Sequence, residues 1–286
     1  MSSKKDLASS RLVSKKEKIF NWIIFVLLLL GAVVMVFPLI YMIATSFMTK
    51  NQILSGTLTI LPDPILIGKY SEVLKKGQFI NGIFNSLKVA IPVLIIGGFT
   101  SSLAAFGFAK MRFRGKNALF LALLATIMIP FAVVMIPQYV MFTKLGWTNT
   151  LLPLIIPGCF GNVSIIFFLR QNLIGIPDDL MEAAKLDGCG YFRTFLQIFM
   201  KGALATQLML WFMGIWNDYL APTIFLRSEK NWTLQVVIRS FNSYYAIQSD
   251  YALIMAASVI AMIPTMALFF IFQRMIIESI AISGIK

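Results

Sequence analysis

Residues 19–47 read IFNWIIFVLLLLGAVVMVFPLIYMIATSF, without one charged side chain. About 20 mostly apolar residues suffice to cross the hydrocarbon core of a bilayer as a helix, and this run is longer. The whole composition points the same way. Of 286 residues, 58% are hydrophobic and 13% charged, and the mean hydropathy is +0.82. Soluble domains carry about 45–50% apolar and about 25% charged residues, so this chain has too little polar surface to coat a water-soluble globule. A soluble enzyme is excluded, and the chain is expected to be an all-α integral membrane protein. The basic segment before residue 19 does not make a signal peptide, because the apolar run is too long and has no small-residue cleavage site.

Five further runs follow. Residues 89–109, 117–143, 145–169 and 251–273 are uncharged, and 202–226 carries only Asp218. A tight turn at Lys144-Leu145-Gly146 joins the third and fourth. Six transmembrane helices put both termini on one side of the membrane. Of the 25 basic residues, 16 lie in the N-terminal segment, the 110–116 turn, the 170–201 loop and the tail, against nine on the other side. The positive-inside rule therefore places both termini in the cytoplasm. It also accounts for the net charge of +13 without nucleic acid. The expected organisation is a basic N-terminus at 1–18, a first span at 19–47, and an extracytoplasmic loop at 48–80. A five-span core at 81–273 and a cytoplasmic tail at 274–286 complete it.

Two loops on the outer side are long. In 48–80, Pro62-Asp63-Pro64 breaks the chain before a segment with Tyr70, Val73 and Leu74 on one helical face. In 227–250, Leu234, Val237, Ile238 and Phe241 follow helical spacing and predict a short amphipathic helix. That helix lies on the membrane surface or offers a docking surface to an external partner. Prolines recur in the spans, at 38, 92, 130, 137, 153, 157, 222 and 264. They suit helices that rock, and also channels and membrane enzymes.

Chemistry is sparse. The chain has no histidine and two cysteines, Cys159 and Cys189, which are not expected to pair, and no cluster has metal-ligand spacing. No catalytic constellation is visible. There is no glycine-rich loop ending in Lys-Ser or Lys-Thr to cradle a phosphate.

The cytoplasmic stretch 176–200, IPDDLMEAAKLDGCGYFRTFLQIFM, reads as two short helices joined at a glycine. Asp179 is expected to cap the first, with Glu182 closing a capping box. Leu180, Ala183 and Ala184 share a face, and the helix ends at Asp187 because Gly188 takes the left-handed conformation. The second helix sets Phe192, Phe195, Leu196 and Phe199 on one face, with Arg193, Gln197 and Lys201 on others. Two-turn helices do not stand alone in water, so both must pack on the chain's own spans or on another subunit.

Glu182-Ala183-Ala184, three residues, Gly188, nine residues and Ile198 resemble the EAA loop of ABC importer permeases. The preceding Ile176-Pro177 and the Asp187-Gly188 pair resemble the form found in sugar-importer permeases. Asn85-Ser86-Leu87, the 104–115 turn, Met135-Ile-Pro-Gln138, Leu145-Gly-Trp-Thr-Asn-Thr150 and Trp216-Asn-Asp-Tyr-Leu220 are similar to that family's pieces, in its order. The likeness runs from about Tyr70 to the C-terminus and is to the maltose-type carbohydrate-uptake branch, specifically the six-span member of its permease pair. One departure is Ile198-Phe-Met-Lys201, where the family usually closes with a proline.

The resemblance implies a type I ABC importer transmembrane fold with a cytoplasmic EAA coupling loop. It implies a second permease, two ATP-binding cassette ATPase subunits that hold the ATP and magnesium, and an extracytoplasmic solute-binding protein delivering a sugar or oligosaccharide. No cofactor or catalytic residue would belong to this chain. Glu182, Ala183, Ala184, Asp187, Gly188, Phe192 and Phe195 would dock an ATPase, and Gly284 and Lys286 of the tail would reach toward it. Polar residues at membrane depth are candidates for the substrate path: Gln138, Asn162, Gln207, Asn217 and Asp218. Asp218 lies 16 residues past Gly202, roughly 24 Å along a helix, near the outer interface where a carboxylate stays hydrated. Asn162 falls near mid-membrane, where an amide bonds a neighbouring helix or a sugar. The rival reading is an ion-coupled secondary transporter, which usually places acidic residues or histidine deep in its spans.

Overall fold

Pro38 does not stop the first helix, which runs from Lys15 to Ser46 as one rod. In the computed structural model, which describes residues 15–58, 60–196, 203–242 and 249–284, that rod packs along the last helix, Tyr251–Gly284. Most of its surface is uncovered. No strand occurs among the described residues. All six apolar segments are helical, yet three of them are broken.

The second long helix spans Gly77–Lys110 and starts well before residue 89. Asn81, Asn85 and Lys88 dilute its hydropathy, but Phe79, Gly82, Asn85, Ser86 and Val89 are all buried. Pro92 sits inside it, and the next turn, Val93–Gly97, widens into a π-turn, a usual response to a freed carbonyl. There its backbone meets Leu152–Cys159. A Cβ added at Gly97 would lie 2.3 Å from the Gly158 carbonyl oxygen, and one at Gly158 would lie 2.8 Å from Val93 Cγ1. Only glycine permits that approach.

Residues 117–143, expected as a single span, form two helices, Lys116–Ile127 and Phe131–Lys144, meeting at 93°. The elbow falls at Pro130, which caps the second arm in extended backbone (φ −61°, ψ 141°) and has no N–H to continue the first arm's hydrogen bonds, while its ring disfavours helix at the residue before it. The turn at 144–146 stands where expected, with Gly146 at φ 69°. Residues 145–169 become Leu152–Cys159 and Val163–Ile174, stepped at Phe160-Gly161-Asn162. Residues 202–226 become Ala203–Trp216 and Leu220–Phe225, broken at Asn217-Asp218-Tyr219. Among the described residues four helices, with Leu152–Ile174 taken as one across its step, are long and apolar enough to span a bilayer, or five if the elbow counts as one, and Leu204–Trp216 is shorter. The last helix runs through Gly284, so most of the segment expected as a tail continues it.

Buried side chains gather in two clusters at opposite ends of Gly77–Lys110. One joins Phe79 and Ala90 to Trp216, Leu234, Val237 and Ala257. The other joins Ala105 and Phe106 to Phe120, Ile165, Leu169, Met181 and Phe195. The amphipathic helix expected in 227–250 is Leu234–Ser240, and its apolar face is covered by the protein itself. Leu234 and Val237 are fully buried and Ile238 nearly so. In 48–80 a helix covers Gly68–Lys75. Val73 faces inward and Tyr70 OH bonds Ser46 Oγ at 2.7 Å, while Leu74 points out. A second short helix, Lys50–Leu54, carries a capping box from Thr49 and Gln52.

Candidate functional site

The stretch 176–196 is held from one side and bare on the other. Its first helix is Asp179–Leu186, and Asp178, not Asp179, stands at the N-cap position. No capping box forms. Asp178 accepts instead from Lys110 Nζ at 2.6 Å, and the same ammonium donates to the Ile176 carbonyl at 2.6 Å. A charge-assisted bond to an ammonium outcompetes a bond to a neutral N–H. Lys110 therefore fixes the base of the loop, and its hydrogen bond and charge hold the Asp178 carboxyl below the usual carboxylate range.

The helix ends as its sequence requires. Gly188 has φ +74°, its N–H donates to Lys185 O at 3.0 Å, and Cys189 N–H donates to Ala184 O at 2.8 Å. This is a Schellman motif. Nothing lies within 4 Å of where a Gly188 Cβ would sit, so the glycine serves backbone conformation and not space. Lys185 Nζ stands 5.2 Å over the Tyr191 ring, linking the two helices of the loop.

The buried stripe differs from the expected one. Met181 and Ala184 face the protein, while Leu180 and Ala183 face out with Glu182, Asp187 and Leu186. The second helix begins as Tyr191–Thr194, and its aromatic face splits. Phe195 is 1% exposed and packs on Phe106 at 5.5 Å and Phe99 at 6.2 Å. Phe192 is 57% exposed. Phe195 is thus the anchor of the loop and not part of its open face, because a phenyl ring inside an aromatic cluster gains more than one left in water. Gln197, Ile198, Phe199 and Lys201 lie outside the described residues, as does Lys286. Gly284 closes the last helix.

Beneath the loop, Arg170 was not singled out by sequence. Its Nε donates to Phe108 O at 3.2 Å and its guanidinium lies 4.1 Å from the Phe120 ring centre, bracing the inner cluster.

Of the five polar residues proposed for a substrate path, two meet. Gln138 and Asp218 line a cavity of about 240 Å³ together with Ser86 and Thr233. Asp218 reaches it because the helix breaks there, and its Oδ1 accepts from Ala221 N–H at 3.3 Å. Asn162 is a helix cap: its Oδ1 accepts from Ser164 and Ile165 N–H, and its own N–H donates to Ser101 Oγ at 2.8 Å. Asn217 points away, donating to Met213 O and accepting from Gln235. Gln207 is half-buried and does not line the cavity.

Three of the short motifs now have physical roles. Asn85 Nδ2 donates to the Lys230 and Trp232 carbonyls at 2.9 and 3.0 Å, and Ser86 Oγ accepts from Leu234 N–H at 3.0 Å. Asn149, at φ 60°, bonds Phe225 O, Arg227 N–H, Ser228 N–H and Ser228 Oγ at 2.6–3.0 Å. Trp216 Nε1 donates to Ala261 O at 2.8 Å. Among the described residues no group of acidic, cysteine or histidine side chains is placed to hold a metal, and both cysteines are free.

Known proteins are similar to this chain. The arabinooligosaccharides transport system permease protein AraQ of Halalkalibacterium halodurans is 29% identical, over 95% of this chain and 99% of its own length. The lactose transport system permease protein LacG of Rhizobium radiobacter is 30% identical, over 87% of this chain and 90% of its own. A solved bacterial ABC transporter involved in import of the acidic polysaccharide alginate has a chain superimposing with a TM-score of 0.79, at 23% identity, over 91% of this chain and 98% of that one. These are transport permeases, and nothing in them supports an ion-coupled carrier. With residues 97–281 matching its family, the chain belongs to the inner membrane components of binding-protein-dependent transport systems.

Proposed function

We propose that this chain is one of two permeases in an ATP-driven importer of a sugar or oligosaccharide, and that its 176–196 loop transmits ATPase closure to the membrane helices. One observation carries the reading: the loop is clamped to the permease through Lys110, Met181, Ala184 and Phe195, while Glu182, Ala183, Leu186 and Phe192 stand bare. A clamped helix with an uncovered apolar face is a lever waiting for a partner, since two turns in water hold no shape alone. Glu182 would meet a basic residue of the ATPase, and Ala183 would let the helices approach closely. Phe195 would pass the motion into the inner cluster. ATP and magnesium belong to the ATPase subunits, and an extracytoplasmic binding protein would deliver the substrate. Carbohydrate as the cargo draws on AraQ and LacG.

The positive-inside count places both termini, the 110–116 turn and the 176–196 loop in the cytoplasm, with Gly284 and Lys286 near the ATPase. A cysteine introduced by Ser3→Cys should then resist an impermeant thiol reagent in intact cells. The docking assignment is tested by Gly188→Val, which should abolish co-purification of the ATPase while leaving the permease in the membrane. Retention of the ATPase by that variant would sink the assignment.

A further inference from the structure

We infer that the 111–115 turn is a binding site for the headgroup of an anionic phospholipid, whose phosphate meets Arg112 and Arg114 while Met111 and Phe113 enter the acyl boundary. The site goes beyond the importer reading and needs only that this turn lie at the inner membrane surface.

The first observation is how the charges are used. Four cations stand in seven residues, at 110, 112, 114 and 116. Topology needs only their number, yet the structure divides them in two. The lysines turn inward. The Lys110 side chain is 3% exposed, and its ammonium is taken up by Ile176 O and Asp178. Lys116 Nζ donates to the Met111 and Ala109 carbonyls at 3.0 and 3.3 Å, which hooks the turn onto the end of the helix before it. The arginines turn outward. Both are exposed, and neither makes a hydrogen bond or ion pair among the described residues. Arg112 reaches the Asp178 carboxylate only through space, and Lys110 already holds that group.

The second observation is what alternates with them. Met111 and Phe113 are 41% and 43% exposed, a poor arrangement in water. At the headgroup level, apolar below and charged above, the same alternation is favourable. Phe113 is fixed there by Phe108 of Gly77–Lys110, ring to ring at 6.0 Å. Five residues join Lys110 to Lys116, each at most about 3.6 Å long. Both ends run into apolar helices, so the turn stays at the bilayer surface.

Charge then selects the lipid. Two guanidinium forks suit the oxygens of a phosphodiester. The head of Lys116–Ile127 has no side-chain cap, which adds the positive end of its dipole beside them. A zwitterionic headgroup brings its own ammonium and gains less. The residue before the turn is Lys110, so a lipid seated on Arg112 and Arg114 braces the base of the 176–196 lever.

The test uses the permease purified with its companion subunits and held in mixed micelles of equal phosphatidylglycerol and phosphatidylcholine. Native mass spectrometry counts the lipids that stay on the permease. Phosphatidylglycerol should be retained in preference. Each basic side chain at a membrane surface is worth about fivefold, so Arg112→Gln with Arg114→Gln should lower that preference about tenfold to thirtyfold. Should the double variant not assemble, Arg114→Gln alone should lower it about fivefold. Lys144→Gln with Lys230→Gln removes the same charge from the opposite end of the molecule and should leave the preference unchanged.

Equal retention of both lipids by the unaltered chain, or the same loss in both double variants, would overturn the site. So would displacement of the phosphatidylglycerol by millimolar inorganic phosphate. Loss of ATPase co-purification from the arginine variant, with its lipid intact, would overturn it as well and make the turn a contact of the ATPase. Each of these outcomes leaves the importer reading standing.

Discussion

The two ends of this molecule hold their loops in opposite ways. At the 227–241 end, the loop is absorbed. Leu234 and Val237 disappear into the cluster around Phe79 and Trp216, and Asn85, Ser86 and Asn149 stitch the backbone of 225–234 to helices far away in sequence. At the 176–196 end, the loop is perched. It meets the permease through Lys110, the stripe of Met181 and Ala184, and Phe195, with Ile176 and Phe192 touching at the margin. The same chain thus builds one loop as wall and the other as handle. Side chains that bond distant backbone make a loop part of the fold, whereas a single anchored edge leaves a face for something else.

Four changes would break or sharpen that contrast. Phe195→Ala should do most, costing about 3–5 kcal/mol of packing in the inner cluster. Cross-linking of an ATPase to 176–196 should be lost while amide exchange in 234–240 stays slow. If both ends loosen together, they do not behave as separate units. Asn85→Ala comes next, removing two hydrogen bonds worth about 1–3 kcal/mol together. Faster exchange in 230–240 and unchanged ATPase attachment are the expected pair of results.

Gly188→Ala is third, at about 1–2 kcal/mol for a left-handed alanine. Since the space beside it is open, the cost is backbone alone. Attachment should weaken more than overall thermal stability. The smallest effect is on pH. The Lys110 hydrogen bond and charge depress the Asp178 carboxyl. The stabilisation is therefore full above the ordinary aspartate value, about 3.9, and is lost as pH falls through the lower folded value. Exposure of Asp178 keeps the effect slight. Attachment of the ATPase should be flat from pH 5 to 8, with Asp178→Asn giving a small loss across that range. A step in attachment near neutral pH would show that another group controls the base of the loop.

Hydropathy made the membrane class and the six apolar segments legible, because burial in lipid needs long uncharged runs whatever their partners. It did not locate the breaks. The elbow at Pro130, the step at Asn162 and the gap at Asn217-Asp218 depend on whether neighbouring backbone satisfies freed polar groups, which no window of one segment reports. In the loop, Gly188 was readable from local backbone physics alone. The cap was not, because Lys110 competes for Asp178 from another part of the chain. Leu234 was read as amphipathic, correctly, but amphipathy does not say what covers the apolar side. Thr233 and Ser86 carried no signal as single residues. Ser86 stood in a motif whose role became clear only once its partner, Leu234 N–H, was placed beside it.

Where Gly97 and Gly158 cross, the two backbones approach with no Cβ on either, flanked by the Val93 and Trp211 side chains. Most packed helices mesh like gears, ridge into groove, and turning one against the other lifts side chains out of one rotamer well and into the next. A crossing of glycines has few teeth. A few degrees of swivel there press only on the flanking Val93 and Trp211 side chains, so the contact acts as a bearing between the perched end and the stitched one. An alanine at either position would add a tooth at the crossing itself.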